Sequence, residues 1–301
     1  MRFRFFSAVA VVVAATAVIE PVFAQQIYEG FKLTFPSYNT GSGLSGAWAL
    51  GGFNAFAAGY TSAEESLSFP GLETSGGRVE GGAFPAINGA RRNLVTTLGA
   101  DNTTAYLSLL LRPQGTLHDG VFSGFFGVTL AGGPGNELFV GKPGGGAVGQ
   151  YVLEHRGGFG QVSSGVPAVI GQTAFLVVRM DFNAGNDTFT LYMNPVPGQP
   201  EPSGGVVKTD LDLAAVTVLG IYSTGAFAVD EIRIGATYAE VTPATPPSPP
   251  AFAGTPGTAN CHGKSVSALA QQHGGMPNAA TVLGFSSVKA LQDAIKAFCA
   301  G

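Results

Sequence analysis

The chain has 301 residues, and charged residues make up 11 % of them, against roughly 25 % in an ordinary soluble domain. Gly (45), Pro (19) and Phe (22) are abundant, and mean hydropathy is +0.26. This composition excludes a disordered chain and a coiled coil, and a net charge of −4 gives no basic footprint for nucleic acid.

The N-terminus runs Met1-Arg2-Phe3-Arg4, then an apolar stretch from Phe5 to Ile19, then Glu20-Pro21 and Val22-Phe23-Ala24. A basic start, an apolar core and small residues before the cleavage point read as a secretory signal peptide over residues 1–24. The core from Ala8 to Ile19 is shorter than the roughly 20 apolar residues of a membrane span; the alternative is an uncleaved N-terminal anchor. No later segment has that length of uninterrupted apolar sequence. The mature protein is therefore expected to be exported, periplasmic or extracellular, and not membrane-spanning.

Residues 25–241 carry β-branched and aromatic runs broken by Gly, Asn and Pro. Strands are expected at 106–112, 124–130, 137–140, 150–154, 174–181, 188–193 and 226–234. Phe182-Asn183-Ala184-Gly185-Asn186-Asp187 is expected to close a hairpin, because Asn and Gly tolerate the positive φ of such turns. Strands without intervening helical periodicity indicate an all-β antiparallel sandwich. A Pro-rich linker, TPATPPSPPAFAGTPGT over 242–258, follows and should be extended.

Several segments carry a resemblance. Ile27-Tyr28-Glu29-Gly30-Phe31, Gly46-Ala47-Trp48, Leu67-Ser68-Phe69-Pro70-Gly71-Leu72, Leu191-Tyr192-Met193-Asn194-Pro195 and Val229-Asp230-Glu231-Ile232-Arg233-Ile234-Gly235 stand in the order found in concanavalin A-like (LamG-type) domains of exported bacterial proteins. The resemblance spans roughly residues 27–241 and implies a jelly-roll β-sandwich of two curved sheets. It also implies a structural Ca²⁺ site at Asp230 on the last strand, completed by Glu29 or Gly30 of the first. Calcium takes 6–8 oxygen ligands, so the plainer reading is that Asp230 or Glu231 pairs with Arg233 or another Arg.

The related glucan hydrolases place carboxylates at alternate positions of one strand, so that they face the same sugar. That spacing is absent; Asp210-Leu211-Asp212 has no Glu at the required distance, and Glu64-Glu65 would face opposite ways on a strand. Gly144-Gly145-Gly146-Ala147-Val148-Gly149 matches a dinucleotide fingerprint literally, but a strand follows it where a phosphate-binding helix is required. It is expected to be a hairpin loop. His118 and His155 read as a turn residue and a strand end. For carbohydrate, the candidates are Trp48, Arg112 and Tyr151, with Glu154. Tyr151 and Glu154 lie three apart on one strand and so face opposite sides.

Residues 259–301 have helical spacing. Helices are expected at 265–272, 277–283 and 287–298, with Val288, Leu291, Ile295 and Phe298 on one face of the last. Some 40 residues rarely sustain a core alone. Cys261 and Cys299, an even pair in an exported chain, are expected to form a disulfide closing this module. The Asn260-Cys261-His262-Gly263-Lys264-Ser265 segment resembles cysteine-bounded tails of other exported bacterial proteins.

The expected function is non-catalytic recognition of extracellular or cell-envelope carbohydrate, or adhesion. The alternatives are a glycan-active hydrolase or lyase with an unrecognised site, and a structural protein-interaction module.

Overall fold

The computed structural model describes residues 26–32, 34–38, 41–51, 59–81, 87–118, 121–133, 135–245 and 252–300. The residues expected to form a signal peptide, 1–24, and residues 246–251 of the Pro-rich stretch lie outside these residues. The chain divides into two compact units, one ending at Ala244 and one beginning at Thr245.

The first unit is a jelly-roll sandwich of two antiparallel sheets. The strands are β1 (Ile27–Glu29), β2 (Leu44–Leu50), β3 (Tyr60–Ala63), β4 (Arg78–Gly81), β5 (Asn88–Leu98), β6 (Thr103–Pro113), β7 (Phe126–Gly133) and β8 (Asn136–Lys142). They continue with β9 (Gln150–His155), β10 (Phe159–Pro167), β11 (Ala174–Phe182), β12 (Asp187–Met193), β13 (Val206–Leu211), β14 (Val216–Ser223) and β15 (Phe227–Gly235). The front sheet has the order β10-β9-β8-β7-β14-β5-β2. The back sheet has the order β13-β12-β11-β6-β15-β4-β3, with β1 also pairing with β15. Every strand expected from the sequence is present. The 182–187 segment closes the β11–β12 hairpin.

Alternation along the strands builds the core. Val128, Leu130, Leu138, Val140 and Leu153 of the front sheet meet Leu107, Leu109, Leu111, Val178, Val229 and Ile234 of the back sheet, all essentially inaccessible to solvent. The interior also holds a charge pair. Arg92 of β5 bonds Glu29 of β1 at 2.7 Å, and Tyr38 (2.7 Å), Trp48 (3.1 Å) and the Phe31 N–H (3.0 Å) complete the carboxylate.

The back sheet buries its outer face as well, which explains why β6, β11 and β15 are apolar on both sides. A second apolar cluster joins Leu110, Phe175, Val177 and Ala228 to Leu67 and Leu72 from the β3–β4 connection, and to Tyr238 and Val241 of the short helix α1 (Tyr238–Val241). Phe69 packs on Phe175 with ring centroids 5.2 Å apart.

The second unit contains α2 (Cys261–His273), α3 (Met276–Val282) and α4 (Val288–Ala300). Its core is Leu269, Ala279, Ala280, Leu291 and Ile295. The Cys261–Cys299 disulfide joins the start of α2 to the end of α4. Phe298 is more exposed than its neighbours on that face and packs on Phe252 at 5.2 Å.

Candidate ligand-binding site

The front sheet carries an open pocket of about 550 Å³ on its outer face; a second, of about 420 Å³, lies on the back sheet among Tyr106, Arg179, Glu201 and Tyr238. The β8–β9 hairpin makes the floor of the front-sheet pocket. Leu138, Val140 and Leu153 point into the core, so the alternate residues Glu137, Phe139, Val152, Glu154 and Arg156 point outward. The register opposes Phe139 to Glu154, and the Arg156 N–H bonds the Glu137 carbonyl at 3.0 Å. Glu137 and Arg156 are therefore cross-strand neighbours, and their side chains form an ion pair. The Arg156 guanidinium lies 5.7 Å from the ring centroid of Tyr222 on β14. Phe125 packs against Tyr222 (4.8 Å) and edge-on to Phe139 (6.4 Å), giving the pocket an aromatic wall.

Two loops form the rim. One is the 121–125 segment before β7. Phe122, Ser123 and Gly124 have φ of 51°, 55° and 64°, the left-handed region. Non-glycine residues there cost about 1–2 kcal/mol each, so this loop needs external support. Lys142, fully buried at the end of β8, supplies it: its Nζ donates to the carbonyls of Ser123 (2.6 Å), Gly124 (3.1 Å) and Pro143 (3.3 Å). Burial without a carboxylate partner pulls this lysine down to about 8. The Phe122 side chain thereby stands on the rim, 64 % exposed.

The other rim is the glycine-rich β8–β9 connection, confirmed as a hairpin loop. Gln161 of β10 holds it. Its Oε1 accepts from the Ala147 N–H (2.8 Å), and its Nε2 donates to the Gly145 carbonyl (3.1 Å) and to Glu154 Oε2 (2.7 Å). Gly146 has φ 64°, and a Cβ there would overlap Gln161 Oε1. A Cβ at Gly144 would sit 2.6 Å from the Phe122 carbonyl oxygen, so glycine is what lets the two rims pack backbone to backbone. Glu154 is 5 % exposed. Burial pushes its carboxyl above the usual range, and Gln161 and Lys208 offset only part of that.

The residues expected to bind carbohydrate are not brought together. Trp48 points into the core, stacked on Phe31 (5.8 Å) and bonded to Glu29. Tyr151 also points inward and is buried. Arg112 belongs to β6 of the back sheet, where it lies 4.0 Å from Glu80. Alternation did place Tyr151 and Glu154 on opposite faces, and Glu154 is the one that reaches the pocket. The site residues the sequence reading missed are Phe122, Phe125, Phe139, Arg156, Gln161 and Tyr222. The hairpin itself was the available signal: pairing 137–141 with 152–156 across its glycine-rich loop sets Glu137 opposite Arg156.

The residues named for calcium do not fit the ion. Glu29 turns inward to Arg92, whereas Asp230 turns outward to Ser66 Oγ (2.5 Å) and the Leu67 N–H (2.7 Å), so the two leave the sheet on opposite faces. The Gly30 carbonyl accepts from the Gly77 N–H at 3.1 Å. Among the described residues no cluster of three or more His, Cys, Asp or Glu could hold a metal. The plainer reading holds in part: Glu231 pairs with Arg233.

No family model matches the chain, and no curated protein does. Among solved structures it is similar to the globular domain of T. cruzi calreticulin (13 % identity, 62 % of this chain and 86 % of that one, TM-score 0.39). It is likewise similar to an endo-1,3-beta-glucanase from Streptomyces sioyaensis (7 % identity, 62 % and 88 %, TM-score 0.39). Lectin II from Ulex europaeus matches at 12 % identity over 62 % and 97 %, with a TM-score of 0.35.

Proposed function

We propose that this is an exported, non-catalytic carbohydrate-recognition protein whose ligand sits in the front-sheet pocket. The observation that carries this reading is the lining itself: Phe122, Phe125, Phe139 and Tyr222 beside Glu154, Arg156 and Gln161. A pyranose has an apolar C–H face and a rim of hydroxyls. An aromatic wall takes the first, and a few fixed polar groups take the second. The leader-like N-terminus and the Cys261–Cys299 disulfide support an oxidising, exported setting, periplasmic or extracellular. A glycan array with the purified protein tests the reading. Binding to a defined set of glycans, lost in Arg156→Ala with folding intact, supports it; an array without any bound glycan contradicts it.

One observation favours a second reading, a glycan hydrolase. Glu137 and Glu154 share the outer face of adjacent strands, one diagonal step apart. Paired carboxylates across a glycosidic bond are the machinery of such enzymes. Against it, Glu137 is committed to Arg156 and Glu154 is braced by Gln161. Product formation from any array-positive oligosaccharide, abolished in both Glu137→Gln and Glu154→Gln, would establish the enzyme instead.

A further inference from the structure

The pocket's charged groups are unequally paired. Arg156 is the only cation among the described lining residues, and Glu137 already occupies it. Glu154 is different. Its Oε2 accepts from Gln161, while its Oε1 receives no hydrogen bond from any described residue. Lys208 stands behind it, but that Nζ is spent on the Gly160 carbonyl and Asp210 Oδ1, each at 2.5 Å. The pocket is therefore lined by a largely buried carboxylate whose Oε1 has no donor among the described residues and whose cation, Lys208, is bonded elsewhere.

Resting on the carbohydrate reading, we infer that the pocket selects a sugar unit bearing a free amine, a hexosamine, over neutral and acidic sugars. An ammonium donates to Glu154 Oε1 and neutralises it at once. A hydroxyl supplies the hydrogen bond without the charge. A uronate or sulfate brings a further negative charge beside Glu154, while Arg156 is already paired with Glu137. Charge-assisted hydrogen bonds are about twice as strong as neutral ones. The apolar remainder of the lining, Phe122, Phe125 and Phe139, receives the ring rather than a flexible chain, which separates a hexosamine from a linear amine of the same charge.

The test is a calorimetric titration of the purified protein with size-matched oligomers of glucosamine, N-acetylglucosamine, glucose and a uronic acid, and with spermidine. The glucosamine oligomer should bind about tenfold or more tighter than the N-acetylated and neutral oligomers, as a charged hydrogen bond implies. The uronate and spermidine should bind more weakly still. In Glu154→Gln the ratio between glucosamine and glucose oligomers should fall close to unity. The ranking on the unaltered protein stands whether or not the variant folds. Equal binding of neutral and amino oligomers, a preference for the uronate, or spermidine matching the amino sugar overturns the inference and leaves the carbohydrate reading standing. If no oligomer binds, the carbohydrate reading fails, and this inference with it.

Discussion

The two outer faces of the sandwich use the same residue types to opposite ends. On the back sheet, Asp230 and Glu231 sit at a bulge of β15 between the stretches that pair with β4 and β1. Asp230 accepts from Ser66 Oγ, the Leu67 N–H and the Glu231 N–H. Glu231 accepts from the Ser75 N–H (2.6 Å), Tyr28 (3.1 Å) and Ser66 (3.2 Å), and pairs with Arg233. These bonds strap the β3–β4 connection over the sheet, and no oxygen is left for a ligand. On the front sheet, among the described residues, no strap crosses the pocket, Glu154 Oε1 has no protein donor, and aromatic rings line the outer face. The back-sheet carboxylates are bonded at both oxygens, whereas Glu154 on the front sheet is bonded within the protein at Oε2.

This contrast predicts that fold-side changes act on stability and pocket-side changes on binding. The largest effect belongs to the interior pair. Glu29→Ala removes the carboxylate paired with the buried Arg92 and should cost about 3–5 kcal/mol, a fall in Tm of about 10 °C by scanning calorimetry; a shift under about 2 °C would mean that the remaining Arg92 contacts, such as the Gly46 carbonyl, suffice. Next comes the disulfide. Reduction removes about 4 kcal/mol from the helical unit in the chain-entropy account. Circular dichroism should show helical signal melting first while the β signal persists, and simultaneous loss of both would contradict this.

A smaller effect comes from Asp230. Burial, reinforced by the Glu231 charge, pushes its carboxyl up to about 8, even though Ser66 and two main-chain N–H groups favour the ionised form. The folded chain then holds this proton more tightly than the unfolded one. Its contribution is complete below about pH 4, the unfolded value, and is lost as pH rises toward 8. Denaturant midpoints should fall across that window, and Asp230→Asn should flatten the profile; an unchanged slope in the variant would assign the dependence elsewhere. The smallest change in stability is expected for Phe122→Ala on the pocket rim, within about 0.5 kcal/mol. Yet it should weaken glycan binding about five- to tenfold. Equal affinity in this variant would remove the rim from the site.

The apolar runs made much of the sandwich legible in the sequence. β6, β11 and β15 are dense in Leu, Val and Phe because core and cover meet their two faces, and β8, β9 and β12 because one face meets the core. β5 and β10 were not legible. β5 (NGARRNLVTTL) hides an interior Arg92 in a polar-looking stretch, and β10 (FGQVSSGVP) is a half-exposed edge strand of Gly and Ser. The site failed for a related reason. Alternation separates Tyr151 from Glu154 but cannot say which face is inward; that is settled by packing against the other sheet. Lys142 and Gln161 act on loops 18 and 14 residues away, contacts that no local pattern encodes.

The most direct test is to locate the bound glycan. Hydrogen exchange of the protein saturated with its strongest array ligand should show slowed exchange in 121–125, 144–147 and 152–161, with 64–77 unchanged. Protection confined to the back-sheet strap, or to the helical unit, would contradict a front-sheet binding site.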